Sequence, residues 1–524
     1  MDGMTSLAST TSIDKEGKDG FQPVSTLRAV DSVLPTVPED AEDEAVKVVG
    51  YERNEVTEAE MRAVTKKIDR RVLPLLAAIY FSQFFDKNSL SYSSIMGLPL
   101  AKNNDQYSLV ASAFYIGFMI FEIPSSALAQ HFPLAKYLGV NVVLWATFLI
   151  LHAASGSFGF FFAMRFLLGV FECCVSPILI SMIAAWYPRH MQARRVSVFY
   201  MCNGLTNMLG GICAYGVTFY KGTAIAHWRI FYLLMGGLAY VVGAAVLIWL
   251  PDSPATAKFL TEREKLVALE QVRDNHSGTK QNKFKPKHAK EALLDPKTWL
   301  LILLTFLSSV PNGGLSSYSS LLIKSFGFTS RQTLLLQIPA GLIAAITTVV
   351  VCVISDRYQR RMLPIFIAVV PTVVGAALMV ALPHSKGGSL AGNFMAQTYG
   401  SSLALLYAWT TTNTASFTKK TVTNAMFITT FGLANVIGTF IFNKRDKPEY
   451  IPGKIAVLTL FALMLPTVGG MHFYTNWLNK RKATKLAALV EEKGWTPSDV
   501  ERERDHAAFM DLTDRENPFF KYMS

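Results

Sequence analysis

Apolar stretches of bilayer-crossing length recur along the chain, separated by short polar punctuation. Twelve fall near residues 72–95, 107–130, 137–154, 159–184, 196–219, 228–250, 297–318, 332–354, 363–383, 393–413, 421–442 and 454–477. At 1.5 Å of rise per residue, about 20 residues cross a hydrocarbon core of roughly 30 Å. The polar stretch from Pro251 to Pro296 divides the twelve into two sets of six. The pattern predicts an all-α membrane body with six-helix bundles over 72–250 and 297–477, joined by a cytosolic central loop over 251–296. Residues 1–56 are rich in Ser, Thr, Asp, Glu, Pro and Gly, the composition of a disordered tail. From Thr57 the pattern changes. Thr57 and Glu60 have capping-box spacing, and Lys66, Lys67, Arg70 and Arg71 follow, which predicts an amphipathic helix over 57–71. The tail over 478–524 carries a short helical pattern, ATKLAALVEEKG, and ends in DLTDRENPFFKYMS, read as a docking or trafficking segment.

Composition supports a membrane body. Of 524 residues, 51% are hydrophobic and 17% charged, and mean hydropathy is +0.29. Soluble domains carry about a quarter charged residues. The net charge of +12 does not indicate a nucleic-acid partner, because the basic residues lie between spans on one side. That side holds Lys136, Arg189, Arg194, Arg195, the central loop, Arg357, Arg360, Arg361, Lys419, Lys420, Lys480, Arg481 and Lys482. The opposite loops are poorer in charge, with the 443–454 loop the exception. This bias predicts both termini and the central loop in the cytosol. No cleavable signal pattern is seen, and the glycosylation pattern Asn275-His276-Ser277 then falls on the unused side. The five Cys, at 173, 174, 202, 213 and 352, lie within spans and have neither metal-ligand nor disulfide-framework spacing. No metal or cofactor is expected. The chain lacks a phosphate loop, which argues against an ATP-driven pump, and lacks nucleophile-elbow, zinc and dinucleotide motifs, so it does not read as an enzyme.

The candidate chemistry is the set of ionisable groups inside spans, which are costly there and mark pathways or substrate sites. In span 4, Arg165 and Glu172 lie seven residues apart, on one helix face and roughly 10 Å apart along the axis. They either serve a substrate and a proton or neutralise each other. In span 1, Asp86 and Lys87 point about 100° apart. Lys87 suits an anionic substrate and Asp86 a proton; the alternative is a salt bridge holding helices together. Glu122, before Pro124 in span 2, is a third protonation candidate or an ordinary hydrogen-bonding group. In span 5, Asn203 and Asn207 share a face, while Gly204, Gly210 and Gly211 suit close packing. The run Pro311-Asn312-Gly313-Gly314 in span 7 is expected to break its helix and offer backbone groups to a ligand. Asn312, Tyr318, Gln337, Tyr399 and Asn424 complete the candidate substrate set, each also readable as interhelical glue.

Between spans 8 and 9, Cys352 to Arg361 resembles the major facilitator loop signature G-x-x-x-D-[RK]-x-G-[RK]-[RK], with Cys352 and Gln359 in place of the glycines. Asp356, Arg357, Arg360 and Arg361 match the gating-loop charges of that family. Other stretches resemble its fungal allantoate permease branch of anion:cation symporters: FFDKNSLSYSSIMGL (84–98), RFLLGVFE (165–172), WYPRHMQARR (186–195), LPDSP (250–254), LLDPKTW (293–299), SVPNGG (309–314), SFGFTSRQTLLLQIP (325–339) and NPFF (517–520). The resemblance implies a twelve-helix major facilitator fold, alternating access, and a monomer in the fungal plasma membrane. It further implies proton-coupled symport of a small organic anion, with allantoate, ureidosuccinate, small peptides, vitamins and other carboxylates in range. Arg165 and Glu172 resemble the span-4 pair of animal organic-anion and glutamate transporters, where the Arg helps hold the anion and the Glu takes part in proton coupling. Where those relatives carry a second Arg in span 7, this chain reads Pro311-Asn312-Gly313. An exporter of a fungal metabolite and a non-transporting nutrient sensor are the competing readings.

Overall fold

A computed structural model describes residues 56–276, 284–358, 360–509 and 512–523. The expected N-terminal tail up to residue 55, Ser277 of the glycosylation pattern and Gln359 lie outside the described residues, as do the side chains of Asp356, Arg189 and Arg194. The regular structure of the described residues is helical. α1 is Glu58–Arg71, and the first half follows as α2 Leu73–Ile95, α3 Asn104–Ala129, α4 Leu134–Leu151, α5 Phe158–Glu172, α6 Val175–Trp186, α7 Arg189–Val217 and α8 His227–Trp249. The central loop contains α9 Glu262–His276 and α10 Pro286–Leu294. The second half comprises α11 Pro296–Ser325, α12 Ser330–Tyr358, α13 Met362–Ala381, α14 Lys386–Ala396, α15 Gly400–Thr412, α16 Phe417–Gly438 and α17 Ile451–Lys493; α18 is Pro497–Phe509.

Among the described residues, nine helical stretches are long and apolar enough to cross a membrane, with α5 and α6 counted as one. The remaining expected spans are α2, α7 and the α14–α15 pair. α2 is diluted by Gln83, Asp86, Lys87, Asn88 and five serines. α7 opens on Arg189 with Arg194 and Arg195 behind it. The tenth span is broken by a 3-10 turn, Gln397–Tyr399, so neither piece reaches spanning length alone. The fourth span breaks at Cys173 and Cys174, directly after Glu172. The expected break in span 7 does not occur: α11 runs 30 residues through Pro311, Gly313 and Gly314. The glycines there bring α16 close instead of freeing backbone. The twelfth span runs past its expected end and absorbs the ATKLAALVEEKG pattern into α17.

Each half uses the same close-packing device. In the first, α3 meets α5 where a Cβ at Gly169 would fall 2.1 Å from the Phe114 carbonyl oxygen. In the second, α11 meets α16 where a Cβ at Gly438 would fall 2.1 Å from the Val310 carbonyl oxygen. Such approaches let backbones pack without a side chain between them. Between halves, α2 meets α11, α3 meets α16 and α7 meets α12. Gly204 is pressed against Ala345 at the α7–α12 contact.

The side holding both described ends of the chain carries helical caps, one per half. α1 forms its capping box, with Thr57 N donating to Glu60 at 3.0 Å and Glu60 N donating to Thr57 at 3.4 Å. The Thr57 backbone N–H and then Arg263 hold the Glu60 carboxyl down at about 2. Lys67 pairs with Glu264 at 2.7 Å, Arg263 with Glu60 at 3.2 Å, and Asp69 with Arg195 of α7 at 2.9 Å. Thus α9 belongs to the first half. α10 belongs to the second, through Glu291 and Lys419 of α16 at 2.8 Å. The central loop is therefore divided between the halves.

Gly438→Val is expected to overpack the α11–α16 contact. The cost is about 1–3 kcal/mol, read as a lowered thermal midpoint and a lower monodisperse yield in detergent, whereas Gly469→Val, which meets no atom within 4 Å, leaves both unchanged.

Candidate functional site

The two halves enclose a cavity of about 270 Å³. Its wall is formed by α2, α3, α5, α6 and α7 from one half and by α11, α12, the Gln397–Tyr399 turn, α15 and α16 from the other. On the side opposite the caps the halves are joined. Tyr107 Oη donates to the Ser317 carbonyl at 2.6 Å, Ser108 Oγ shares a hydrogen bond with Tyr318 Oη at 2.7 Å, and Ser320 N donates to Ser91 Oγ at 3.1 Å. The Tyr107 and Tyr318 rings meet edge to face at 5.1 Å. The cavity wall extends the other way, through Ile180, Val196, Tyr407 and Phe427.

Lys87 is the one Lys or Arg among the described lining residues. Its ammonium is held by three rings: Tyr115 of α3 at 5.4 Å, Phe84 at 5.8 Å, and Phe431 of the other half at 5.8 Å. As their roughly 100° divergence predicts, Lys87 makes no salt bridge with Asp86 among the described residues, and Asp86 turns inward, 1% exposed. Both Asp86 oxygens lack a hydrogen-bond partner. Asp86 stands against Glu172 from α5, with the Arg165 guanidinium beside both. Arg165 (3% exposed) and Glu172 (1%) do share one inward face. Arg165 Nη2 donates to the Lys87 carbonyl at 3.3 Å, and Nε and Nη1 have no partner.

These groups form two layers. Lys87, Glu172 and Glu122 line the cavity; Asp86 and Arg165 lie behind them and do not. Arg165 is placed to anchor the α2 backbone under Lys87. The carboxyls of Asp86 and Glu172 have no donor between them. A single proton shared by the pair makes that contact attractive, and its loss makes it repulsive. Cys173 and Cys174, where the fourth span breaks beside Glu172, are both buried.

The rest of the lining is rich in amides. Asn312 Nδ2 donates to Asn435 Oδ1 at 2.8 Å and its Oδ1 accepts from Tyr399 Oη at 3.3 Å. Asn88 Nδ2 donates to Asn207 Oδ1 at 2.9 Å, Gln337 Nε2 donates to Ser319 Oγ at 3.1 Å, and Asn203 lines the wall beside them. The structure thus brings Lys87, Asn203, Asn207, Asn312, Gln337, Tyr399, Glu122 and Glu172 to one cavity. Besides Arg165, which lies behind the lining, two residues expected there are elsewhere. Tyr318 sits in the seal, six residues and about 9 Å beyond Asn312 along the helix. Asn424 lies on α16 outside the lining, with its side-chain oxygen buried and unpartnered. Arg357 and Arg360 of the expected gating loop are exposed at the capped side, and Arg361 Nη1 donates to Ser355 Oγ. The Lys87 ring cage and the Tyr107–Ser108 seal were not singled out in the sequence. Single aromatic or hydroxyl positions in apolar spans give no periodic signal, and their meaning comes from the partner half.

Residues 76–439 match the Major Facilitator Superfamily family model. The chain is 32% identical to the allantoate permease of Saccharomyces cerevisiae over 92% of this chain and 90% of that one. It is 34% identical to an uncharacterized transporter of Schizosaccharomyces pombe, over 88% and 89% respectively. Among solved structures it is similar to a bacterial homolog of the human lysosomal transporter Spinster in an inward-facing conformation, with a TM-score of 0.58 and 13% identity, over 80% of this chain and 97% of that one. The partially occluded inward-open xylose transporter XylE from E. coli gives a TM-score of 0.58 and 14% identity, over 78% and 97%. The chain therefore belongs to the major facilitator superfamily, in the branch that holds the allantoate permease. It is a multi-pass membrane transporter of two six-helix halves.

Lys87→Met is expected to weaken binding of an anionic solute roughly tenfold to a hundredfold, the worth of a charge-assisted hydrogen bond of about 1.5–3 kcal/mol. The thermal midpoint stays unchanged, because no carboxylate is left unpaired. Scintillation-proximity titration of the purified variant checks the binding, and a thermal-unfolding scan checks the midpoint.

Proposed function

We propose that the protein carries a small organic anion together with a proton by alternating access, across the plasma membrane, with both termini cytosolic and the monomer as the working unit. The observation that carries this reading is the cavity-facing ammonium of Lys87. It is held by rings and has no carboxylate partner among the described residues, so its charge is available to a carboxylate ligand. Cation–π contact stabilises a desolvated cation without neutralising it. The proton is assigned to the Asp86–Glu172 pair, with Glu172 exchanging it with the cavity and Arg165 orienting the pair. Glu122, 5% exposed and with one oxygen unpartnered, is the second cavity-side proton acceptor. The amides of Asn203, Asn207, Asn312 and Gln337 suit a ligand with hydrogen-bonding groups beyond its carboxylate.

Relatives named for allantoate and for cysteine support a small polar solute. The seal on one side and the wall that runs on to the other support alternating access. The Tyr107–Ser317 and Ser108–Tyr318 contacts have to part for the cavity to open the other way. Asp356, Arg357, Arg360 and Arg361 would then engage on the capped side as that side closes.

The test is uptake of labelled organic anions by cells expressing the protein, at external pH 5 and 7.5, with and without a protonophore. Accumulation of one anion that is stronger at pH 5 and lost with the protonophore is expected. Efflux without uptake would overturn the direction, and binding without flux would overturn transport.

A sharper result is expected of Glu172→Gln, which keeps shape and hydrogen bonding but cannot release a proton. It should lose accumulation at least tenfold while keeping exchange of labelled for unlabelled solute across the membrane. Arg165→Ala should lose both while reaching the cell surface. Proteoliposome counterflow separates the two.

A further inference from the structure

The C-terminal residues 512–523 form no helix, yet Thr513, Asp514 and Tyr522 are buried. Their anchors lie on the second half and its cap. The Asp514 carboxylate meets Lys297 Nζ of α11, and Lys419 Nζ of α16 at 2.7 Å; both lysines are 0% exposed. Lys419 also reaches Glu291 at 2.8 Å and Asp295 at 2.9 Å, and Arg515 reaches Asp295 at 2.9 Å. Three cations thus meet three carboxylates. Buried ion pairs hold only when every charge is compensated, and Asp514 is the carboxylate supplied by the tail.

Beyond Asp514 the tail is held mostly by its backbone. Lys482 Nζ of α17 donates to the Asn517 carbonyl at 2.6 Å and lies 5.2 Å from the Tyr522 ring centre. Asn479 brackets Tyr522, accepting from its N–H and donating to its carbonyl, both at 2.8 Å. Asn413 accepts from Met523 N at 2.7 Å and donates to Met523 O at 2.9 Å, and Trp409 Nε1 donates to the same carbonyl at 2.8 Å. Tyr522 Oη donates back to Asp514 at 2.9 Å, closing the segment on itself. Paired amide recognition of backbone, a buried acidic anchor and an aromatic seat are the features of a peptide-binding site.

We infer that the capped-side ends of α10, α11, α15, α16 and α17 form a receptor for an aromatic peptide with a buried aspartate anchor. The chain's own residues 512–523 are its resident ligand, a clasp that binds five helices into one body. The clasp touches neither the cavity wall nor the seal. Its part in transport is to keep the second half whole while the halves rock, a property independent of which solute is carried.

Burial pushes the Asp514 carboxyl up, but Lys297 and then Lys419 outweigh this and hold it at about 2. The groups facing it are Lys297, Lys419, Lys482, Asp295, Glu291, Arg515 and Tyr522. A carboxyl lowered on folding adds stability that is complete above its unfolded value of 3.8 and is lost as pH falls through about 2. The clasp therefore stays closed from pH 5 to 7.

Hydrogen exchange of the purified full-length protein, read by mass spectrometry at pH 5 and 7, tests this. The amides of Asn517, Tyr522 and Met523 have acceptors. After correction for intrinsic rates they are expected to exchange at least a hundredfold slower than in the synthetic peptide DLTDRENPFFKYMS, equally at both pH values. Asn479→Ala removes both contacts to Tyr522 without leaving a buried charge. It should lose at least tenfold of the protection at Tyr522 and Met523. Asp514→Asn should lose it across the segment and lower the thermal midpoint. Peptide-like exchange in the unaltered protein, or full protection of the tail in Asn479→Ala, would overturn the inference. Both readouts stand even where Asp514→Asn fails to fold.

Discussion

Charge held inside a membrane protein has to be compensated, and this chain organises itself around two such places. One is the mid-span cluster of Asp86, Lys87, Arg165 and Glu172. The other is the capped-side cluster of Lys297, Lys419, Asp295 and Asp514. They are compensated in different ways. The capped-side cluster is closed, with carboxylates on each lysine at ion-pair distance. The mid-span cluster is left open. Lys87 has rings for partners, Asp86 and Glu172 have no donor, and two guanidinium nitrogens of Arg165 are unpartnered. Closed charge clusters hold structure, and an open one at mid-membrane marks a working site. The amide wall, the seal and the close helix contacts all serve to keep the open cluster in a defined cavity.

That division accounts for the construction of the two halves. Each half is tightened by glycine contacts, α3 on α5 and α11 on α16. Each also has its own cap, α1 with α9 and α10 with the C-terminal segment. Between the halves lie the tyrosine–serine seal, the close packing of α7 on α12 at Gly204, Gly211 and Gly341, and the reach of Phe431 over Lys87.

Much of this was legible in the sequence, because a membrane imposes length and apolarity on every crossing. The twelve spans, the division at the central loop and the capping box at Thr57 and Glu60 follow from periodicity and spacing. Arg165 and Glu172 share a face as their seven-residue spacing requires. What sequence could not give was partner choice. It set Arg165 on the substrate, whereas the helix turns that face toward the Lys87 backbone behind the cavity. It placed Tyr318 with Asn312, though two further turns carry the tyrosine into the seal. Pro311 with two glycines reads locally as a helix break, and only the approach of α16 reveals the glycines as packing positions. The ending DLTDRENPFFKYMS has no local pattern at all, since its buried aspartate depends on Lys297 and Lys419, more than 90 residues away.

The central claim is that the open mid-span cluster couples an anion to a proton. The most direct measurement is proton movement itself, in proteoliposomes holding the purified protein and a pH-sensitive dye, with no pH gradient imposed. Adding the transported anion outside is expected to acidify the interior, and substitution of Asp86 by Asn should abolish the signal. Entry of the anion with no change in internal pH would contradict the account and leave a uniporter built on the same fold.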